Sequence, residues 1–282
     1  MSPVLAELRA FLRANRLAAL GLALLAAILV CVVAGPLVYD ASPTRLNILR
    51  RLSPPGADFW LGTDSLGRDV LARVLHGGRV TLVVGCLVVA IAFVSGSAIG
   101  MVSGFAGGWV DAAIMRLADA MLSFPSLVLA IALAAAFGPS LGNAMLAVAI
   151  TLAPQFARVA RAQAVSISAR PYVEAAVTLG LTRGRILLRY VFANGVGPLF
   201  VQATLALGAA ILQTASLGFL GLGAQPPAAE WGADVSTNLD FVRGAPWVAL
   251  APGAAILLAV MAFNLVGDGL AEWLDPRRRP AD

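Results

Sequence analysis

Lysine is absent from this chain of 282 residues, so all of its 20 basic side chains are arginines. That excludes a phosphate loop of the Walker A type, whose lysine reaches the terminal phosphates. ATP hydrolysis by that route is therefore not expected in this chain. Histidine occurs once, at His76, which rules out paired-histidine zinc chemistry. The two cysteines, Cys31 and Cys86, lie in separate apolar runs and read as small packing residues rather than a disulfide or a ligand pair. No nucleophile and base stand at a motif spacing. The chain is expected to be no enzyme and to hold neither metal nor cofactor.

Charge is scarce as well. Charged residues make up 12% of the chain against about 25% in a soluble domain, while 60% are hydrophobic. The mean hydropathy is +0.87. Such a chain uses the bilayer as its solvent, and its apolar runs must be helices because each span has to satisfy its own backbone. The alternation of a barrel is missing. The arginines sit beside the apolar runs, where they set orientation, so the pI near 10.2 does not signal nucleic acid.

Six segments approach the roughly 20 residues needed to cross: Leu17–Tyr39, Val80–Ser103, Leu117–Phe137, Leu141–Ala157, Val196–Leu222 and Trp247–Leu270. The first follows Arg9, Arg13 and Arg16 and exceeds the 7–15 residues of a signal-peptide core, so it reads as a retained helix. The third contains Asp119 and Pro125, and only Gly138-Pro139-Ser140 separates it from the fourth, implying a tight hairpin or a re-entrant pair. The expected division is 1–79, with the first span and an outer loop, and 80–282, a five-helix core. With the N-terminus inside, Arg9, Arg13, Arg16, Arg116, Arg158, Arg161, Arg170, Arg183, Arg185, Arg189 and Arg277–Arg279 fall on the inner side. Arg45, Arg50, Arg51, Arg68, Arg73, Arg79 and Arg243 fall outside. The inner excess places both ends in the cytoplasm. No internal repeat of the kind found in many secondary transporters is evident.

The most legible region is the arginine-rich island between Arg158 and Asn194. Pro171 suits the first turn of a helix and Gly180 its left-handed end, with Glu174 in the first turn, where negative charge is favoured. Tyr172, Val173, Ala176 and Val177 are expected to be exposed on this short helix. A second helix from about Thr182 to Phe192 would lead back into the membrane. The small residues Ala175 and Ala176 would let the first helix lie in a partner's groove.

Elsewhere the candidates are sparser. Gly96, Gly100 and Gly104 form a small-residue ridge suited to close helix packing. Gln202, Gln213 and Ser216 fall within roughly 60° of one another on one helical face. They either bond neighbouring helices or line a wet path. Asn264 and Asp268 lie one turn apart near the inner end of the sixth span and read as a structural pair with an arginine. Asp64, Arg68 and Asp69, among glycines, form either a self-capped turn entering the second span or a contact for an external protein.

The order Glu174-Ala175-Ala176, Gly180, Ile186, Leu188 resembles the EAA loop of ABC-importer permeases. Leu61-Gly-Thr-Asp64-Ser-Leu-Gly67-Arg68-Asp69-Val70 resembles the dipeptide/oligopeptide/nickel branch of that family. So do Phe219-Leu-Gly-Leu-Gly223, Pro226-Pro227, Trp231-Gly232, Asn264-Leu-Val-Gly267-Asp268-Gly269-Leu270 and Asp275-Pro276-Arg277. The match covers nearly the whole chain and is to the second, shorter permease of the usual pair. Val177, Ala193 and Thr214 depart from it, standing where the family often has arginine, proline and an acidic residue. The resemblance implies an all-α type I importer transmembrane fold with six spans in a bacterial inner membrane. It implies a homologous second permease, two cytoplasmic ATP-binding subunits and an extracytoplasmic solute-binding protein as partners. It also implies that Arg170, Pro171, Tyr172, Val173, Glu174, Ala175, Ala176, Gly180, Arg183 and Arg185 meet the ATPases. The cargo would be a peptide or related small solute. A secondary transporter without an ATPase is the alternative.

Overall fold

The computed structural model describes residues 15–274. Arg9, Arg13, Arg277–Arg279 and the Asp275-Pro276-Arg277 segment lie outside the described residues. The described residues fold as α1 (Arg16–Val38), α2 (Val70–Ala106), α3 (Gly108–Leu122), α4 (Ser126–Phe137), α5 (Leu141–Ser168), α6 (Pro171–Thr178), α7 (Arg183–Ile186), α8 (Ala193–Phe219), α9 (Trp231–Thr237) and α10 (Trp247–Leu274). Single 3-10 turns occupy Ile48–Arg50 and Leu239–Phe241. α1, α2, α5, the continuous run Arg183–Phe219 and α10 are long and apolar enough to cross a membrane.

A sixth crossing exists only if α3 and α4 count together, and the expected single span Leu117–Phe137 is not one helix. The two are bent by 95° at Ser123–Pro125. Pro125 has no N–H to continue the ladder, and Phe124, ahead of it, is steered out of the helical region. Ser123 closes α3 by donating its hydroxyl to the Ala120 carbonyl at 2.7 Å. The hairpin between α4 and α5 forms as expected. Gly138 takes φ +89°, and the Ser140 hydroxyl accepts the Asn143 N–H at 3.1 Å.

Two other helices far outrun their apolar windows, while α8 ends at Phe219, short of the expected Leu222. α2 begins ten residues before Val80 and runs unbroken across residues 79 and 80. α5 continues to Ser168, so Arg158 and Arg161 belong to a helix and the island's loop begins at Ala169. Arg161 donates from Nε and Nη2 to the two oxygens of Asp111, each at 2.6 Å, and the Ser103 hydroxyl adds a third bond at 2.6 Å. Arg158 pairs with Asp119 at 2.6 Å on the surface. α3 is thereby fastened to α2 and α5.

α2 and α5 make the closest helix pair. A Cβ on Gly96, Gly100 or Gly104 would overlap the carbonyl oxygens of Ala153, Ala157 and Arg161, so two rows of i, i+4 residues meet backbone to backbone. Lipid tails are as apolar as the core, so close van der Waals contact of this kind, not water exclusion, holds spans together. Phe156, Leu152, Val148 and Val88 fill the buried centre beside it.

α1 leans on α10 and α2. Pro36 cannot donate to the Val32 carbonyl four residues back. Arg79 of α2 supplies that donor, bonding Val32 O and Val33 O at 2.8 Å each. Cys31 and Cys86 are both exposed, facing away from the chain rather than packing inside it, and they are not paired.

Candidate functional site: an exposed loop and a buried cap

The loop beyond α5 is built by local rules. Arg170 is extended (ψ 142°), Pro171 opens α6, and the N–H groups of Val173 and Glu174 return to the Arg170 carbonyl. Gly180 has φ +79°. The Leu181 N–H bonds Ala176 O at 3.2 Å and the Gly180 N–H bonds Val177 O at 2.9 Å, which is a Schellman ending. Nothing lies within 4 Å of a Cβ placed on Gly180, so glycine is required there by conformation and not by space.

α7 then leads through a π-helical turn, Leu187–Phe192, into α8. Tyr190 of that turn stacks on Tyr172 of α6 with centroids 6.5 Å apart. Here the structure corrects one expectation. Val173 and Ala176, three residues apart, are buried in the same core cluster as the chain's own Ile186 and Val191 and are not exposed. Helical geometry turns the other side outward: Tyr172, Glu174, Ala175 and Val177, followed by Leu179 and Leu188. Arg170, Arg183, Arg185 and Arg189 are exposed and form no ion pair among the described residues. This face has apolar side chains and free cations but no internal counter-surface.

At the opposite end of the spans the charges are inside. The Asp64 carboxylate accepts the Arg68 N–H at 2.9 Å and its guanidinium at 2.6 Å. Asp69 caps α2 through the Ala72 N–H at 2.8 Å and takes the Tyr39 hydroxyl on its other oxygen. All three residues of this group are buried, so their side chains complete a turn and present nothing outward. Beneath them, buried Arg73 of α2 donates to Asp234 of α9 (Nε at 2.9 Å) and to the carbonyls of Pro43 and Ala228 at 2.9 and 3.1 Å.

Glu230 caps α9, accepting the Gly232 and Ala233 N–H groups at 2.9 and 2.8 Å and the Thr81 hydroxyl at 3.2 Å. Trp231 is buried over Gly77 and Gly78, whose missing side chains make its space, and donates to Val74 O at 2.8 Å. Burial pushes the carboxyls of Glu230 and Asp234 above their usual range, against the pull of the capping N–H groups and of Arg73 respectively. Sequence reading missed Arg73, Glu230 and Asp234. The available signal was three carboxylates in the Gly223–Pro246 segment with an arginine four residues beyond Asp69.

The remaining candidates are scattered along α8 and α10. Gln202 of α8 reaches Gln155 of α5 at 3.5 Å. The Gln213 side-chain Oε1 is buried with no hydrogen-bond partner among the described residues, and the Ser216 hydroxyl returns to Leu212 O. Asn264 of α10 packs against Gly208 of α8. Asp268 is exposed and pairs with no arginine among the described residues, while Arg9, Arg13 and Arg277–Arg279 lie outside them.

Comparison with known proteins matches residues 96–280 to the family described as binding-protein-dependent transport system inner membrane component. Residues 6–55 match the N-terminal transmembrane domain of oligopeptide transport permease C. Among relatives, a dipeptide transport system permease of Alkalihalophilus pseudofirmus is 42% identical over 268 residues, 95% of this chain and 88% of its own length. A probable D,D-dipeptide permease of Escherichia coli is 48% identical over 249 residues, covering 88% and 84%. A glutathione transport system permease of Pectobacterium atrosepticum is 40% identical over 270 residues, covering 95% and 89%.

Proposed function

Because the chain belongs to the family of binding-protein-dependent transport-system inner-membrane components, we propose that it is one of two homologous permeases in an ATP-driven importer of short peptides. The cargo class is drawn from relatives named for dipeptides, di/tripeptides and glutathione. The observation that carries the coupling role is the α6–α7 face, where exposed apolar side chains and four free arginines stand together. A groove on an acidic, cytoplasmic ATP-binding subunit complements it.

In this reading ATP-driven closure of the ATPases displaces α6. Two connections carry the displacement onward. The Schellman turn and α7 lead into α8, and the buried side of α6 bears on the core through Val173 and Ala176. α8 carries Gln202, Gln213 and Ser216, uncharged polar groups suited to the wall of a path between two permeases. A two-state element is thus biased from a distant site, which is what coupling requires. The cytoplasm lies on the α6 side and the cap lies outside, next to the solute-binding protein.

The test is co-purification with an ATPase, followed by import and ATPase assays on Glu174→Arg. That variant puts a cation at the positive end of α6. Import should be lost while the complex stays in the membrane; import at the wild-type rate with normal ATPase stimulation would overturn the coupling role. Orientation is tested with an impermeant thiol reagent. Cysteines replacing Ala57 and Asp240 should react from outside, and one replacing Ala169 only after permeabilisation. A cysteine at Pro139, in the α4–α5 turn, reacts from outside if the bent pair crosses.

A further inference from the structure

The loop between α1 and α2 exposes large apolar side chains although it lies outside the spans. Leu49 is 97% exposed, and Leu46, Ile48 and Trp60 are each more than half exposed. Leu46, Ile48 and Leu49 lie in or beside the 3-10 turn Ile48–Arg50 together with Arg45 and Arg50, the latter 3.7 Å from the Asp58 carboxylate on the surface. A soluble surface does not usually concentrate apolar groups in this way.

Three contacts fix the height of this segment. The Tyr39 hydroxyl, one residue past α1, bonds Asp69 at the first turn of α2, so the two helix ends are level. The Asn47 N–H bonds Leu66 O at 3.2 Å, and the Asn47 backbone packs directly on Gly67. Residues 46–50 are therefore held beside the end of α1 and the start of α2. The last residues of α1, Leu37 and Val38, are themselves exposed and continue the lipid-facing surface up to that point. Trp60 lies against Tyr39 with centroids 5.5 Å apart, the kind of amphipathic aromatic pair that settles at headgroup level.

We propose that residues 45–51, with Trp60, form an interfacial foot embedded in the headgroup layer of the leaflet on the cap side. Leu46, Ile48 and Leu49 reach into the acyl boundary, and Arg45 and Arg50 remain at the phosphates, the arrangement that holds amphipathic elements in an interface. The occupant of this surface is lipid. Its continuity with the exposed end of α1 and the flanking cations favour lipid over a soluble protein. The foot would hold the outer end of α1 at constant depth. The inference rests on α1 spanning the membrane and is independent of cargo and of coupling.

The experiment uses the full chain in nanodiscs of phosphatidylcholine and phosphatidylglycerol, in a Cys31→Ala, Cys86→Ala background. Leu49→Cys and, separately, Ile48→Cys carry an environment-sensitive fluorophore; Asp240→Cys is the exposed reference and Leu37→Cys the marker of membrane depth. Nitroxide on the lipid headgroup should quench the labels at 49 and 48 severalfold more than the label at 240, and adding a solute-binding protein should leave that quenching unchanged. Labels at 49 and 48 quenched no more than the one at 240 would overturn the proposal. So would labels shielded from lipid by a protein partner. Failure of tail-labelled lipid to quench the label at 37 would instead remove the span on which the proposal stands.

Discussion

The two ends of this molecule handle charge in opposite ways. In the cap, Asp64, Arg68, Arg73, Glu230 and Asp234 are buried, and each is held by groups of the same chain. In the α6–α7 loop, Arg170, Arg183, Arg185 and Arg189 are all exposed and unpaired among the described residues. A buried charge must be satisfied within the fold or the fold fails. An exposed cation beside exposed Leu179 and Leu188 costs little when alone and becomes useful against a partner. Charge in the cap is therefore architectural, and charge in the loop is available for recognition.

The contrast is sharpest for Arg73→Leu. It strands Asp234 in a buried site, and losing one partner of such a pair costs about 3–5 kcal/mol. We expect a large drop in the melting temperature of the purified chain and in its yield from membranes. The double variant Arg73→Leu, Asp234→Leu should recover much of that loss, because neither charge is then left unpaired. A double variant as unstable as the single one would show that the pair is not the cause.

Gly100→Val comes next. Its side chain would meet the Ala157 backbone, and forcing α2 and α5 apart should cost about 1–3 kcal/mol, again read as a lowered melting temperature. Gly180→Val carries a smaller cost, about 1–2 kcal/mol, because the left-handed conformation is strained for a branched residue but no atom is in the way. Its effect on import should nevertheless exceed that of Gly100→Ala variants of equal stability. The smallest thermal effect belongs to Arg185→Gln, within about 0.5 kcal/mol, as for other surface changes. It should still weaken ATPase stimulation in the assembled complex. A melting shift at Arg185 as large as that at Arg73 would erase the distinction between the two ends.

The same distinction explains what could be read without coordinates. α6 is specified by residues that act on their immediate neighbours, with Pro171 to start it and Gly180 to end it, so its limits were visible in order alone. Which side of α6 turns outward was not. Val173 and Ala176 are buried in the cluster that also holds Ile186 and Val191, and that burial depends on how α7 folds back. The break at Pro125 carried a local signal, but a hydropathy window averages across it and reports one span. Arg73 and Asp234 lie 161 residues apart, so no local pattern joins them. Hydropathy also hides Val70–Arg79, because Arg73, His76 and Arg79 dilute its apolar signature without breaking its helical hydrogen bonds.

That long helix has a mechanical consequence. α2 has 37 residues, about 55 Å of helix against a hydrocarbon thickness of about 30 Å. Prolines interrupt α1, α5, α8 and α10, while α2 contains none. It is a push-rod without a proline hinge. Backbone contact with α5 grips one half of it, and the Arg73 guanidinium pins the other half to α9. Displacement delivered at one end meets no proline break along its length. It arrives at the far side of the membrane as rigid translation or tilt.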